Sequence, residues 1–328
     1  MMSVRGKILW AASAVLLVFL YLASSTDLII KEKVREIHTV SIVLDDVNDT
    51  YYQNFKKGVD QAARDYYADT SYITLYEEVS QEEQTKLVDR EVGDGADAVV
   101  VIPVDAEAFQ GAIQGKWPET PLVVLGAGED HPGVNARIYV DNFQAGRLLA
   151  EKALEEVPEG TRFWLLSALG EEGRTDQVLE GVLDVLESQG AEYEEKREWQ
   201  FSGENREEAA AQFAAAADQL PGAAVIALDR ESLMGLAEYL KSDASCREQL
   251  SGVYGLGSTT SLLNSLDAGV IDGLVTYDQY TAGYLSVERA VEAIRDGDVK
   301  EPVRMNYYYI TKENMRDKKY EAMLYPMD

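Results

Sequence analysis

Residues 39–63 read TVSIVLDDVNDTYYQNFKKGVDQAA, and this stretch decides the fold. The run Val40-Ser41-Ile42-Val43-Leu44 has the length and branching of a short strand. It gives way to a polar loop, Asp45-Asp46-Val47-Asn48-Asp49-Thr50-Tyr51-Tyr52. A segment over 50–68 follows in which Tyr52, Phe55, Val59 and Ala62 recur at helical spacing on one face. A strand feeding a helix is the first half of a βαβ unit. In open α/β sheets ligands sit beyond the carboxyl ends of the strands, so this loop, with two aromatics and several hydroxyl-binding groups, lies where a small molecule is held.

The same rhythm continues outward. Strands are expected at 39–45, 72–77, 98–102 and 122–125, with helices at 50–68, 81–93 and 105–115 between them. Ala98-Val99-Val100-Val101-Ile102 is apolar without alternation, as in a strand covered by helices on both faces. A short strand through Ile138-Tyr139-Val140 ends at Asp141-Asn142, either of which can cap the helix after it. A second series then begins, with strands at 162–168, 192–199, 223–228, 252–256 and 273–277 and helices at 175–189, 205–219, 231–241 and 259–268. The architecture is α/β and is used twice. Pro158-Glu159-Gly160, Leu220-Pro221-Gly222 and Asp296-Gly297-Asp298 mark turns, and none is long enough for a flexible linker.

Two globular units suit a chain of 328 residues with 46% hydrophobic and 27% charged residues. The 58 acidic against 30 basic residues give a net charge of −28, which repels phosphate backbones and argues against nucleic acid as a partner. Cys246 is the sole cysteine, which excludes an intrachain disulfide and a cysteine metal cluster, and leaves no lipoprotein cysteine near the N-terminus. There, ILWAASAVLLVFLYLASS (residues 8–25) is uncharged, follows Arg5 and Lys7 and precedes Asp27. Its length exceeds the apolar region of about 7–15 residues in a signal peptide, favouring an uncleaved signal anchor over cleavage near Ala23-Ser24-Ser25. The basic flank places the body outside the cytoplasm. Residues 1–37 are therefore an anchor and a charged tether.

No enzyme site assembles. His38 and His131 have no metal-ligand spacing around them. Gly126-Ala127-Gly128 and Gly255-Leu256-Gly257 are only fragments of a dinucleotide fingerprint, and no nucleophile elbow is present. No catalytic residue, cofactor or metal is expected.

Four motifs, Val40 to Gly58, GADAVVVIPVD (95–105), DNFQAGR (141–147) and Gly252 to Gly283, occur in the order and spacing of the ribose-binding-protein family. From about residue 38 to about residue 300 the chain resembles these type I periplasmic sugar-binding proteins, relatives of the ligand domains of lactose-repressor-type regulators. The resemblance implies two doubly wound lobes around a ligand cleft, joined by three hinge crossings near Val140-Asp141, Tyr277-Asp278 and Met305-Asn306. The N-terminal lobe is then 38–140 plus 278–305, and the C-terminal lobe with its tail is 141–277 plus 306–328. It further implies a polar contact at Asp49, stacking aromatics at Tyr51 and Tyr52, and a hydroxyl acceptor at Asp229. The family's central arginine falls near Asp176, with Arg174 as a substitute, and its hinge-side glutamine falls on Tyr277. Gly126-Ala127 and Gly257 replace polar family positions, which argues against ribose itself. Each candidate also has a purely structural role open to it: Tyr51 and Tyr52 as helix-start packing, Asp49 and Asp229 as helix caps, Arg174 and Asp176 as a surface pair.

The expected function is capture of a small polar ligand, foremost a carbohydrate (sugar, amino sugar or polyol), by a membrane-anchored extracytoplasmic protein serving an ABC-type importer through its permease. A ligand sensor partnered with a membrane sensor kinase is the alternative. A cytoplasmic repressor needs a basic helix-turn-helix where this chain has its apolar segment.

Overall fold

A computed structural model describes residues 3–25, 36–46, 52–76, 79–126, 128, 131–168, 174–201, 203–297 and 301–326. The chain divides into two compact units, Met1–Ile37 and His38–Asp328. In the first, helix α1 (Val4–Ser25) contains a 19-residue span, Val4–Leu22, long and apolar enough to cross a membrane. Most of the tether lies outside the described residues.

The second unit holds two six-stranded sheets among its described residues. The first sheet is built from β1 (His38–Val43), β2 (Ala68–Ile73), β3 (Ala98–Val101), β4 (Leu122–Leu125), β5 (Ala136–Tyr139) and β11 (Val303–Arg304), in the order β11-β5-β4-β3-β1-β2, all parallel. The second contains β6 (Phe163–Leu166), β7 (Tyr193–Glu195), β8 (Ala224–Ala227), β9 (Gly252–Leu256), β10 (Gly273–Tyr277) and β12 (Tyr307–Thr311), in the order β12-β10-β9-β8-β6-β7. Only β12 runs antiparallel to its neighbour. Each sheet carries its own apolar cores, so the fold is two α/β lobes.

The helices between the strands are α2 (Gln53–Tyr66), α3 (Gln81–Gly93) and α4 (Ala106–Ala112) in the first lobe, and α5 (Asn142–Glu156), α6 (Arg174–Ser188), α7 (Arg206–Gln219), α8 (Arg230–Ser242), α9 (Ala244–Glu248) and α10 (Thr260–Asp267) in the second. Helix α11 (Gln279–Asp296) returns to the first lobe and packs on α2. Helix α12 (Lys318–Leu324) packs on the second lobe's core. Both lobes use one packing device. A Cβ on Gly58 of α2 would lie 1.9 Å from the Tyr280 carbonyl oxygen, and one on Gly146 of α5 would lie 2.1 Å from that of Val178 in α6. Paired glycines let the helix backbones touch.

Two expected strands are corrected. The strand expected at 72–77 is β2, which starts at Ala68: Tyr67 closes α2 in the left-handed conformation (φ 59°), and β2 pairs at once with β1, His38 facing Ala68. The strand expected at 192–199 stops at Glu195, and the chain beyond it turns so that Trp199 and Phe201 enter the core from a loop.

The chain passes from the first sheet to the second between Tyr139 and Asn142, back between Tyr277 and Gln279, and across again between Arg304 and Tyr307. The three crossings are tied together. The Tyr277 and Tyr307 rings meet edge to face at 5.7 Å, and the Tyr307 hydroxyl donates to Asn142 Oδ1 at 3.2 Å.

Candidate functional site

The carboxyl ends of both sheets face one cleft of about 580 Å³, within the roughly 300–1,000 Å³ typical of small-molecule sites. Ile102 to Glu107 and Leu125-Gly126 line it from the first lobe, Thr175 to Val178, Leu228 to Arg230 and Leu256-Gly257 from the second, and Val140, Asn142, Tyr277 and Tyr307 from the crossings.

Local chemistry fixes these loops. Buried Gln84 on α3 donates to the carbonyls of Leu44 (2.9 Å) and Ile102 (2.7 Å) and accepts from the Val104 amide (3.2 Å), binding the end of β1 to the loop after β3. Asp105 caps α4 by accepting from the Glu107 and Ala108 amides at 2.9 and 3.0 Å. Gly126 after β4 (φ 151°) and Gly257 after β9 (φ 117°) adopt backbone conformations that side chains resist. Their amides donate to Ile138 and Val275 in the next strand, both at 3.0 Å. The glycines standing at polar family positions are therefore backbone turns at the cleft wall.

Asp229 has relative exposure of 5%. One carboxylate oxygen accepts from the Ser232 amide at 2.8 Å; the other accepts from the Ala168 amide at 2.7 Å and the Ser232 hydroxyl at 2.9 Å. It caps α8 and at the same time holds the loop after β6. Burial pushes its carboxyl above the usual range, against the pull of these three donors.

The other expected residues are placed unevenly. Tyr52 lines the cleft, but its ring is buried against Phe55 at 5.7 Å and its hydroxyl donates to Asp45. Asp176 lines the cleft as an exposed residue of the first turn of α6, and Tyr277 lines it at the second crossing. Arg174 begins α6, its side chain outside the description. Asp49 and Tyr51 lie outside the described residues. The sequence reading missed Gln84, Asp105 and Arg230. Asp105 and Arg230 adjoin Pro103-Val104 and Asp229 in segments already singled out, whereas nothing local marks Gln84. Among the described residues no group of three His, Cys, Asp or Glu side chains is placed to hold a metal.

A family described as Periplasmic binding protein domain matches residues 40–298. No curated protein sequence matches the chain. Among solved structures, a carbohydrate transporter solute binding protein from Agrobacterium radiobacter, in complex with D-arabinose, superposes with a TM-score of 0.75 at 20% identity, over 88% of this chain and 99% of that one. An ABC transporter solute binding protein from Agrobacterium vitis, bound with α-D-tagatopyranose, gives 0.73 at 18% identity over 88% and 100%. A glucose-galactose binding protein from Geobacillus stearothermophilus gives 0.69 at 17% identity over 86% and 99%. At these identities the likeness speaks for the fold, type I with two lobes and three crossings.

Proposed function

Because this chain belongs to the periplasmic binding protein domain family, we propose that it is an extracytoplasmic solute-binding protein whose cleft captures a small carbohydrate for an ABC-type importer. The observation that carries this reading is the cleft itself, of about 580 Å³ and walled by strand ends of both sheets. Tyr277 and Tyr307, with polar groups from both lobes, line it, the mixture of apolar faces and oriented hydrogen-bonding groups that suits a sugar ring. The ligands named for the structural neighbours, D-arabinose, a tagatopyranose, glucose and galactose, agree with this chemistry.

On this reading the mechanism is hinge closure without chemistry. Lobes 38–140 plus 278–305 and 141–277 plus 306–328 turn about the three crossings. Asp176, Asp229 and Tyr277 sit at the ligand, joined by Asp49, Tyr51 and Arg174 by resemblance. Helix α1 anchors the protein in the membrane, raising its effective concentration beside a permease.

Thermal-shift titration of residues 38–328 tests the function. D-arabinose, D-tagatose, D-glucose, D-galactose, glucosamine and sorbitol form the panel. A true ligand at about 100 times its Kd adds about 2.7 kcal/mol and raises the melting temperature in proportion. A flat response to the whole panel would remove the carbohydrate assignment.

A further inference from the structure

Besides the three chain crossings, side-chain bonds among the described residues tie Asp46, Asn54 and Lys57 of the first lobe to the second. Arg230, the first residue of α8, donates to Asp46 Oδ2 at 2.5 Å, with side chains only 20% and 21% exposed. Asn54 Nδ2 donates to the Leu324 carbonyl at 3.0 Å, and Lys57 Nζ to the Pro326 carbonyl at 2.9 Å. The second-lobe ends of these bonds are firmly held. Met323 and Leu324 of α12 are buried in the second lobe's core, and Arg230 follows the buried cap Asp229. The Leu324 carbonyl belongs to the end of a helix, where carbonyls lack intrahelical donors and attract positive charge. Asn54 and Lys57 supply a donor and a cation to that end.

We propose that Arg230–Asp46 and the C-terminal strap form a clasp that holds the cleft shut before any ligand enters. The crossings alone permit rotation; the clasp opposes it with contacts made entirely by this chain. Each contact weights the closed form by about two- to tenfold, so losing several moves the closed-to-open ratio by tenfold or more. Ligand entry then waits on opening, and the clasp sets the entry rate. The clasp regulates the cleft assigned above and rests on that assignment, but its test uses no ligand, so the two can fail separately.

The test is a pulsed electron-spin distance measurement on the ligand-free full chain in detergent micelles. Labels are placed through Glu82→Cys on α3, where the native side chain is 83% exposed, and Lys241→Cys on α8, also exposed. The native Cys246 is buried and does not compete for label. The clasped protein gives one narrow distance population. Asn54→Ala, Lys57→Met and Arg230→Met together transfer a substantial fraction to a second, longer population. If the triple variant is unfolded by circular dichroism, Lys57→Met alone, at a half-buried helix position, must produce a smaller transfer in the same direction. An unchanged distribution in the folded variant, or a broad distribution in the parent protein, would overturn the clasp.

Discussion

Replacing Asp229 with alanine separates a brace from a ligand contact. The substitution strips the cap from α8 and leaves the Ala168 amide without its acceptor beside the cleft. Loss of an N-cap costs about 0.5–2 kcal/mol, and a buried amide left unpaired costs about 1–3 kcal/mol. Removing a carboxylate whose charged form is penalised by burial returns part of this. The net expectation is a destabilisation of about 2–4 kcal/mol. Asp229→Asn should fall between alanine and the parent, since its amide keeps one acceptor oxygen but turns a second donor towards the Ala168 amide. Urea unfolding of residues 38–328, followed by far-ultraviolet circular dichroism, reads the difference as a shift in midpoint at constant slope. If Asp229→Ala loses less than about 0.5 kcal/mol, the size of an ordinary surface change, the bracing role is wrong, and any loss of binding in that variant then marks a direct contact.

Gly58→Ala should destabilise the body by about 1–3 kcal/mol, because the added methyl would lie 1.9 Å from the Tyr280 carbonyl oxygen; a thermal melt at the parent's midpoint would contradict the close helix contact. Gln84→Met removes a buried side chain that makes three bonds to two cleft loops, at an expected cost of about 2–4 kcal/mol in urea unfolding, and an unchanged midpoint would show that the loops hold themselves. Burial raises the carboxyls of Asp229, Glu156 and Asp272, so each binds its proton more tightly folded than unfolded. Their contribution to stability is complete below the ordinary carboxylate range and is lost as pH rises through the raised native values. Urea midpoints should therefore rise as pH is lowered from neutral towards about 5, less so in Asp229→Asn, and a fall over that window would show that other groups dominate.

The alternation of strands and helices was legible because the central strands are runs of valine, isoleucine and leucine, and because Phe55, Val59 and Ala62 repeat at helical spacing. Misreadings gather at sheet edges. Ala68 to Ile73 reads ADTSYI, too polar to announce a strand, and it needs only one neighbour, β1. The strand expected at 192–199 ends at Glu195, and beyond it Trp199 and Phe201 serve as plugs that meet Phe213 edge to face at 5.2 and 5.5 Å. Helix α12, with KKYEAML, is too short and too charged to stand out, and its place depends on the core beneath it. The site was partly visible. Asp229 could be seen as an acid at a strand end, but whether it holds a helix or a ligand depends on the Ala168 amide, which the chain brings back from the end of β6. Gln84 and Arg230 escaped for the same reason: the partners of each lie on segments remote in sequence, and no local pattern records them.

The central claim is that a solute sits between two hinged lobes. A crystal structure of residues 38–328 grown with the most stabilising sugar of the panel tests it most directly. The account predicts the sugar in the cleft beside Tyr277, Asp105 and Asp176, touching residues of both sheets. A sugar seated outside the cleft, or held by one lobe alone while the cleft stands empty, would contradict it.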